Sequence, residues 1–188
     1  MSGAGLVLLG LAACNPAPAP EGGGSGDSAN VAAAAPARAA APAPAVVLEG
    51  AGLRIAGATP PRTLAFGIPA AEAIAALTEA FGRPPSERGE NEECGGGAMA
   101  FAAWDGKVTI WLLDGRFAGW DDKGGLRTLE GVAVGSSRSD VESLPGFEAE
   151  ESTLGTEFRA GGLSGILASA AADARVTHLW GGETCVFR

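Results

Sequence analysis

The apolar positions between residues 70 and 81 recur at the spacing of an α-helix. Five of them fall on one stripe of a helical projection: Ala73, Ile74, Leu77, Ala80 and Phe81. Pro69 suits the first turn of a helix, and Gly82 followed by Pro84 is typical of a helix end. The pattern therefore predicts a helix over 70–81.

A different pattern, the alternation typical of strands, follows this helix. Residues 98–104, 107–113 and 116–120 are rich in apolar and β-branched side chains. Asp105-Gly106 and Asp114-Gly115 separate them, and Asp-Gly favours the type I′ turn of a tight hairpin. The sequence predicts a three-stranded meander here, after a polar loop over 83–97.

The order of helix and meander is then repeated. Ser137 and Asp140 have the spacing of a capping box, with aspartate in place of the usual glutamate, and a short helix ends by Pro145-Gly146. Three further strands are predicted at 154–159, 163–169 and 175–180. A hairpin of strands 46–49 and 53–56 precedes both units. The predicted fold class is α+β, with two helix-plus-three-stranded-meander units, about 64–120 and 131–181, packed as one domain over 46–188.

This repeated unit resembles the domains of beta-lactamase-inhibitor-protein-like and BamE-like envelope proteins. The matching residues are Gly67, Glu72, Gly82 and Pro84 in the first copy, and Gly135, Ser137, Asp140 and Val141 in the second. The first copy departs from the pattern at Ile68. The second departs in its short helix and in the reversed order of its proline and glycine. The resemblance implies a protein-binding sheet rather than catalysis, and it assigns no binding residues.

The N-terminal segment resembles that of a bacterial lipoprotein. Residues 3–13 form an apolar run too short to span a bilayer but of the length found in signal peptides. Leu11-Ala12-Ala13-Cys14 resembles a lipobox, which implies a signal peptide over 1–13 and a lipid on Cys14 that anchors the chain to a membrane. Asn15, in place of a retaining aspartate, favours the outer membrane, with the domain facing the periplasm. The alternative is a buried apolar segment with an unmodified cysteine.

Residues 14–45 are predicted to form a disordered tether after the lipidated cysteine. The segment is rich in proline and alanine with a Gly/Ser patch, and such a composition buries too little apolar surface to offset the entropy lost on ordering. The formal net charge of the whole chain is −9. Nucleic acid is excluded as an expected partner, because that binding depends on Lys and Arg side chains.

Cys94 and Cys185 remain for the globular domain once Cys14 is assigned to the lipid. In an exported domain they most simply form one disulfide, and a metal pair or a reactive thiol is the alternative. A zinc site needs about four ligands, and the chain has a single histidine, His178. We therefore expect no metal site and no cofactor.

Few other residues suggest chemistry, and no catalytic residue is predicted. His178 is expected to be structural, and Ser164 lacks the G-x-S-x-G context of a serine hydrolase. Glu90, Glu92 and Glu93 crowd the polar loop. With Asp121 and Asp122 they are a candidate for calcium, and the simpler interpretation is a solvated acidic loop. The chain has four tryptophans, which are Trp104, Trp111, Trp120 and Trp180. We interpret them as residues of the hydrophobic core, and a binding role is the alternative.

The sequence thus predicts a lipid-anchored envelope protein whose domain binds another protein of unknown identity, and not an enzyme. A periplasmic enzyme acting on cell-wall material and a purely structural envelope lipoprotein are the alternatives. The binding hypothesis predicts apolar or aromatic side chains on an open sheet face. The enzyme hypothesis predicts a pocket lined by carboxyl groups with shifted pKa values.

Overall fold

A computed structural model describes residues 45–185 of the chain. The predictions made for the signal peptide, for the lipid on Cys14 and for the tether through residue 44 lie outside the described residues. Within residues 45–185 the chain forms eleven strands and two helices. Neither of these helices has the length and hydropathy needed to cross a membrane.

A small antiparallel sheet comes first in the chain. Its strands are adjacent in sequence order and consist of β1 (Val46–Glu49), β2 (Gly52–Ile55) and β3 (Arg62–Ala65). The predicted hairpin of strands 46–49 and 53–56 is confirmed, with Glu49 directly opposite Gly52. The third strand was not predicted.

Each of the two helices is followed by four strands. Helix α1 (Ala70–Phe81) precedes β4 (Glu87–Asn91), β5 (Met99–Trp104), β6 (Val108–Leu113) and β7 (Arg116–Asp122). Helix α2 (Arg138–Glu142) precedes β8 (Glu148–Ser152), β9 (Gly155–Ala160), β10 (Leu163–Leu167) and β11 (Val176–Gly182).

All eight of these strands belong to one antiparallel sheet. Their order is β4-β5-β6-β7-β11-β10-β9-β8, so the last strands of the two groups meet at the centre and the first strands form the two edges. At the central join Trp180 of β11 lies opposite Asp121 of β7.

The predicted α+β class is wrong. Of the described residues 45% lie in strands and 12% in helices, in two antiparallel sheets of three and eight strands, so the domain is mostly β. The two helix-plus-three-stranded-meander units are wrong as well, because each helix precedes four strands and the strands of both groups share one sheet. The strand that was not predicted is the first of each group, β4 or β8. It is so polar that it gives no strand pattern in the sequence.

Helix α1 has the bounds predicted from its apolar stripe. Ala73, Ala76, Leu77 and Ala80 are buried on its inner side. The helix ends at Gly82, whose φ of +67° is a left-handed conformation that glycine adopts without steric cost.

The capping box predicted at the start of α2 is confirmed. The Ser137 side chain accepts a hydrogen bond from the Asp140 backbone N–H, and the Asp140 carboxylate accepts one from the Ser137 N–H. The hydrogen bonds from the Ser137 side chain and then its backbone lower the pKa of the Asp140 carboxyl below its ordinary value. This pair fixes the beginning of a helix of only five residues.

The two Asp-Gly turns have different conformations. Asp114 and Gly115 both have positive φ, +50° and +73°, as a type I′ turn requires. Between β5 and β6, however, three residues connect Trp104 to Val108, and only Gly106 has positive φ. The type I′ prediction is therefore wrong for Asp105-Gly106, where the extra residue gives a longer hairpin loop.

The core lies between one face of the eight-stranded sheet and the other elements. Leu48, Leu53 and Leu64 of the small sheet, together with Leu77 of α1 and Val141 of α2, belong to the same buried cluster as the inward side chains of the large sheet. Trp120 is fully buried there, and its indole Nε1 donates to the Glu49 carbonyl at 3.0 Å. The opposite face of the large sheet is therefore the face left for recognition.

Candidate functional site

The outer face of the large sheet is defined by the alternation of side chains along each strand. Ile110, Leu179 and Phe158 are in the core cluster, so their neighbours Trp111, Trp180 and Glu157 belong to the outer face. We call this surface the outer face below.

A disulfide covers part of the outer face beside β5, β6 and β7. Cys94, in the loop after β4, is bonded to Cys185, which follows β11, as the sequence predicts. Both cysteines are buried in a small cluster with Met99 and Trp111, against which Phe101 packs. The Phe101 and Trp111 ring centroids lie 5.6 Å apart. This half of the outer face therefore has a hydrophobic cluster of its own.

The other half of the outer face, over β8 to β11, forms a cleft. Strand register places Trp180, Ser164, Arg159 and Glu148 side by side in one row across the four strands. The next row contains His178, Ile166, Glu157 and Glu150. The cleft has a volume of about 290 Å³ and is lined by side chains of both rows together with Ala149 and Phe158. We call it the β8–β11 cleft.

The rim of the β8–β11 cleft is acidic. Three carboxylates, from Glu148, Glu150 and Glu157, face one guanidinium, from Arg159. Glu148 and Glu150 are exposed, and neither forms an ion pair within 4.0 Å among residues 45–185. These two carboxylates are therefore accessible to a group that enters the cleft.

The inner wall of the cleft is aromatic. Trp180 is only 6% exposed, so its ring is recessed in the surface and does not protrude from it. The centroids of the Trp180 and His178 rings lie 5.2 Å apart. A ligand that contacts Trp180 must therefore enter this recess.

Asp121 lies where the two halves of the outer face meet. Its Oδ2 accepts a hydrogen bond from Trp111 Nε1 at 2.7 Å, and its Oδ1 lies 3.5 Å from His178 Nε2. Because β7 and β11 pair at this point, Asp121 connects the disulfide cluster to the edge of the cleft through these two side chains. No hydrogen bond reaches the buried His178 Nε2 among the described residues, so the structural role of His178 stays a prediction.

The neighbouring Asp122 belongs to the core side. It is fully buried, and its Oδ1 accepts a hydrogen bond from the Gly125 N–H at 2.9 Å, while no hydrogen bond reaches Oδ2 within the described part of the chain. Burial raises the pKa of this carboxyl, and backbone N–H donors from residues 124–126 oppose that change. Asp122 is not among the residues that line the cleft.

The structure does not join the residues that could have formed a hydrolase or a calcium site. Ser164 lies opposite Trp180, and His178 lies opposite Ile166 in the next row of the same face, but no hydrogen bond reaches His178 Nε2 among the described residues. Glu90 is on edge strand β4, opposite Ala100, and three strands from β7, which carries Asp121 and Asp122. Over residues 45–185, no three His, Cys, Asp or Glu side chains are grouped as ligands of a metal ion.

The tryptophans divide between two environments. Trp104 and Trp120 are fully buried in the main core, as predicted, while Trp111 and Trp180 belong to the outer face. Trp120 and Trp180, on the paired strands β7 and β11, lie on opposite faces of the large sheet. Trp180 lies opposite Asp121, so Trp120 points to the other side of the sheet.

Sequence reasoning missed the charged residues of the cleft. Glu148 and Glu150 have the two-residue spacing that places side chains on one face of a strand, as do Glu157 and Arg159. This two-residue spacing was the signal in the sequence that could have placed these side chains on one face. The spacing was not recognised because β8, with the sequence EAEES, lacks the apolar alternation by which strands are predicted.

Comparisons of the chain with protein-family models, with curated proteins and with solved structures found no match. The function is therefore inferred from the geometry and chemistry of the outer face.

Proposed function

We propose that this protein is a lipid-anchored envelope protein whose domain binds another protein through the β8–β11 cleft. The observation that supports this function is the recessed aromatic wall formed by Trp180 behind an acidic rim, on the one sheet face that the helices and the small sheet leave uncovered. Interfaces that bind by insertion of an anchoring side chain have this combination of a buried aromatic group and a polar rim.

The size of the cleft argues for an inserted side chain. Pockets for small-molecule ligands commonly have volumes of about 300–1,000 Å³. The β8–β11 cleft, at about 290 Å³, lies at the lower limit of that range and suits one extended group. A protein partner that contributes one anchor and surrounds it with further contacts fits this volume.

The outer face also has the apolar groups that a binding sheet requires. Ile166 is half-buried in the row next to Trp180, and Phe101 is half-buried beyond the central join, where it packs against the cluster that buries Trp111. The alternative of a periplasmic enzyme gains no specific support here. Burial raises the pKa of Asp122, but this carboxyl lies outside the cleft.

The lipid anchor of the proposal rests on the motif Leu11-Ala12-Ala13-Cys14 and on the Pro/Ala-rich composition that follows it. A lipid on Cys14 would hold the domain at a membrane, and an extended tether would keep the cleft within reach of envelope proteins.

A substitution that fills the cleft without changing its charge tests the proposed function. The full chain, with its disulfide formed, is immobilised and exposed to an envelope extract from the same bacterium. Ser164→Phe places a ring in the cleft opposite Trp180, whereas Ser169→Phe makes the same change at an exposed position after β10. We expect one protein to be retained by the wild type and by Ser169→Phe, and to be lost with Ser164→Phe.

The retained protein is then purified and its binding measured directly with all three forms of the chain. Equal retention by the three forms would contradict the role of the cleft. Circular dichroism and thermal unfolding of each variant establish that the comparison is between folded proteins.

A further inference from the structure

We propose that the group inserted into the β8–β11 cleft is a lysine or arginine side chain of the partner polypeptide. This inference rests on the proposed function and names the chemistry of its partner. It combines the charge of the cleft, the position of Trp180 and the location of the cleft beside a sheet edge.

The charge of the cleft favours a cation. Its two exposed carboxylates, those of Glu148 and Glu150, have a formal charge of −2 in a chain whose formal net charge is −9. Glu148 and Glu150 have no ion-pair partner in the described part of the chain, so a cation would not have to displace an existing pair. An anionic or neutral group would leave both carboxylates without compensation.

Trp180 favours a cation with an apolar stem. Lysine and arginine bury their methylene groups against apolar surface while the charged end remains in a polar environment. In this cleft the stem would lie against Trp180, and the charged end would point toward Glu148 and Glu150. These two glutamates are on β8, three strands from β11, which carries Trp180. Indole faces also attract cations directly.

The sheet edge favours a polypeptide over a free amine. Strand β8 is the last strand of the sheet order, so among residues 45–185 its outer edge pairs with no other strand. Glu148, Ala149 and Glu150 of this strand all line the cleft. A partner polypeptide can therefore pair one segment with this edge, while another part of the same chain, above the outer face, directs one basic side chain into the cleft.

The test uses two pairs of short peptides with blocked ends. Acetyl-Ala-Ala-Arg-Ala-Ala-amide is compared with the same peptide containing citrulline, which has nearly the same shape without the charge. The lysine peptide is compared with its norleucine analogue. Binding to the full oxidised chain is followed by NMR, using the backbone signals of β8 to β11 and the indole signal of Trp180.

We expect the charged peptides to bind saturably, to shift the Trp180 indole signal and to bind at least about tenfold more tightly than their neutral analogues. The double variant Glu148→Gln/Glu150→Gln should lose about tenfold in affinity. The matched control, Glu87→Gln/Glu90→Gln, removes the same charge from the opposite edge strand β4 and should bind as the wild type does.

Several results would overturn the inference. Equal binding of the citrulline and arginine peptides would exclude recognition of charge. An equal loss of affinity in the β4 control variant would mean that the peptides respond to the net negative charge of the chain and not to the cleft. Binding of butylguanidine as tight as that of the arginine peptide would assign the cleft to small amines. Binding seen only after removal of residues 186–188 would make the chain's own segment the occupant.

Failure of this inference can be distinguished from failure of the proposed function. If the peptides do not bind but a purified partner is still lost with Ser164→Phe, then the cleft binds protein and the basic anchor is wrong. If the partner is retained equally by all forms, the proposed function itself is wrong.

Discussion

Asp121 and Asp122 are consecutive residues with opposite surroundings, because successive side chains of a strand point to opposite faces. Asp121 accepts a hydrogen bond from Trp111 on the outer face, whereas Asp122 is fully buried on the core side. The sequence could not distinguish these two residues, since both were candidates for one calcium site. Strand β7 extends to Asp122, beyond the predicted end at residue 120, and this extension places the two side chains on opposite faces.

The raised pKa of Asp122 predicts a particular dependence of stability on pH. Because burial favours the neutral carboxyl, the folded pKa lies above the ordinary value of 3.8. The stabilisation from the neutral form is complete below 3.8 and is lost as pH rises through the folded pKa. The free energy of unfolding of the wild type should therefore fall relative to that of Asp122→Asn over this interval, as measured by urea unfolding at a series of pH values.

Asp140→Asn provides a control of opposite sign. The pKa of Asp140 is lowered by Ser137, so its charged form stabilises the fold above 3.8 and this contribution is lost as pH falls through the lowered pKa. Relative to Asp140→Asn, the wild type should gain stability as pH rises through that lower interval. The same slope for both variants would mean that the pH dependence does not come from these sites.

At the scale of elements, the sequence predicted the helices and strands whose conformation is signalled by their own residues. Helix α1 has both an apolar stripe and a glycine at its end, and the capping box of α2 is formed by two residues three apart. Strands β3, β4 and β8 were missed because their residues are almost all exposed. Pairing with a neighbouring strand, rather than local sequence, determines their conformation. The charged residues of the cleft were missed for the same reason, because Glu148 and Glu150 lie on β8.

The two charged edge strands have a further consequence for the whole sheet. Exposed edges present unpaired backbone groups that can pair with other chains, and charged side chains oppose such pairing. Strand β8 has three glutamates in five residues, and β4 has two. The acidic edge of β8 repels acidic segments but attracts basic ones, which is consistent with the basic partner inferred above.

The disulfide connects the loop after β4 to the segment after β11, and its loss should destabilise the domain. The bonded cysteines are 91 residues apart, and removal of a bridge of this kind typically costs about 2–5 kcal/mol. Reduction should lower the free energy of unfolding of the wild type by this amount, and the urea midpoint should fall accordingly. It should also shift the fluorescence of Trp111, which packs with both cysteines.

The double variant Cys94→Ser/Cys185→Ser separates the bond from side effects of the reductant. It should resemble the reduced wild type and should not respond to added dithiothreitol. A response of the same size in the double variant would mean that the reductant acts elsewhere, and equal midpoints for oxidised and reduced wild type would contradict a stabilising role.

At the scale of the whole molecule, the lipid proposed on Cys14 would restrict the cleft to partners at the membrane that holds the lipid. Lipid attachment at Cys14 predicts that the protein incorporates labelled fatty acid and remains with membranes after a salt wash, since each buried methylene contributes about 0.8 kcal/mol. Cys14→Ser should incorporate no label and leave the membrane-anchored fraction. Cys94→Ser/Cys185→Ser removes both disulfide-bonded cysteines of the domain but keeps Cys14, and it should still be labelled. If instead the wild type carries no label and Cys14→Ser fractionates with it, the N-terminal segment is not a lipoprotein signal, and the cleft must meet its partner without an anchor.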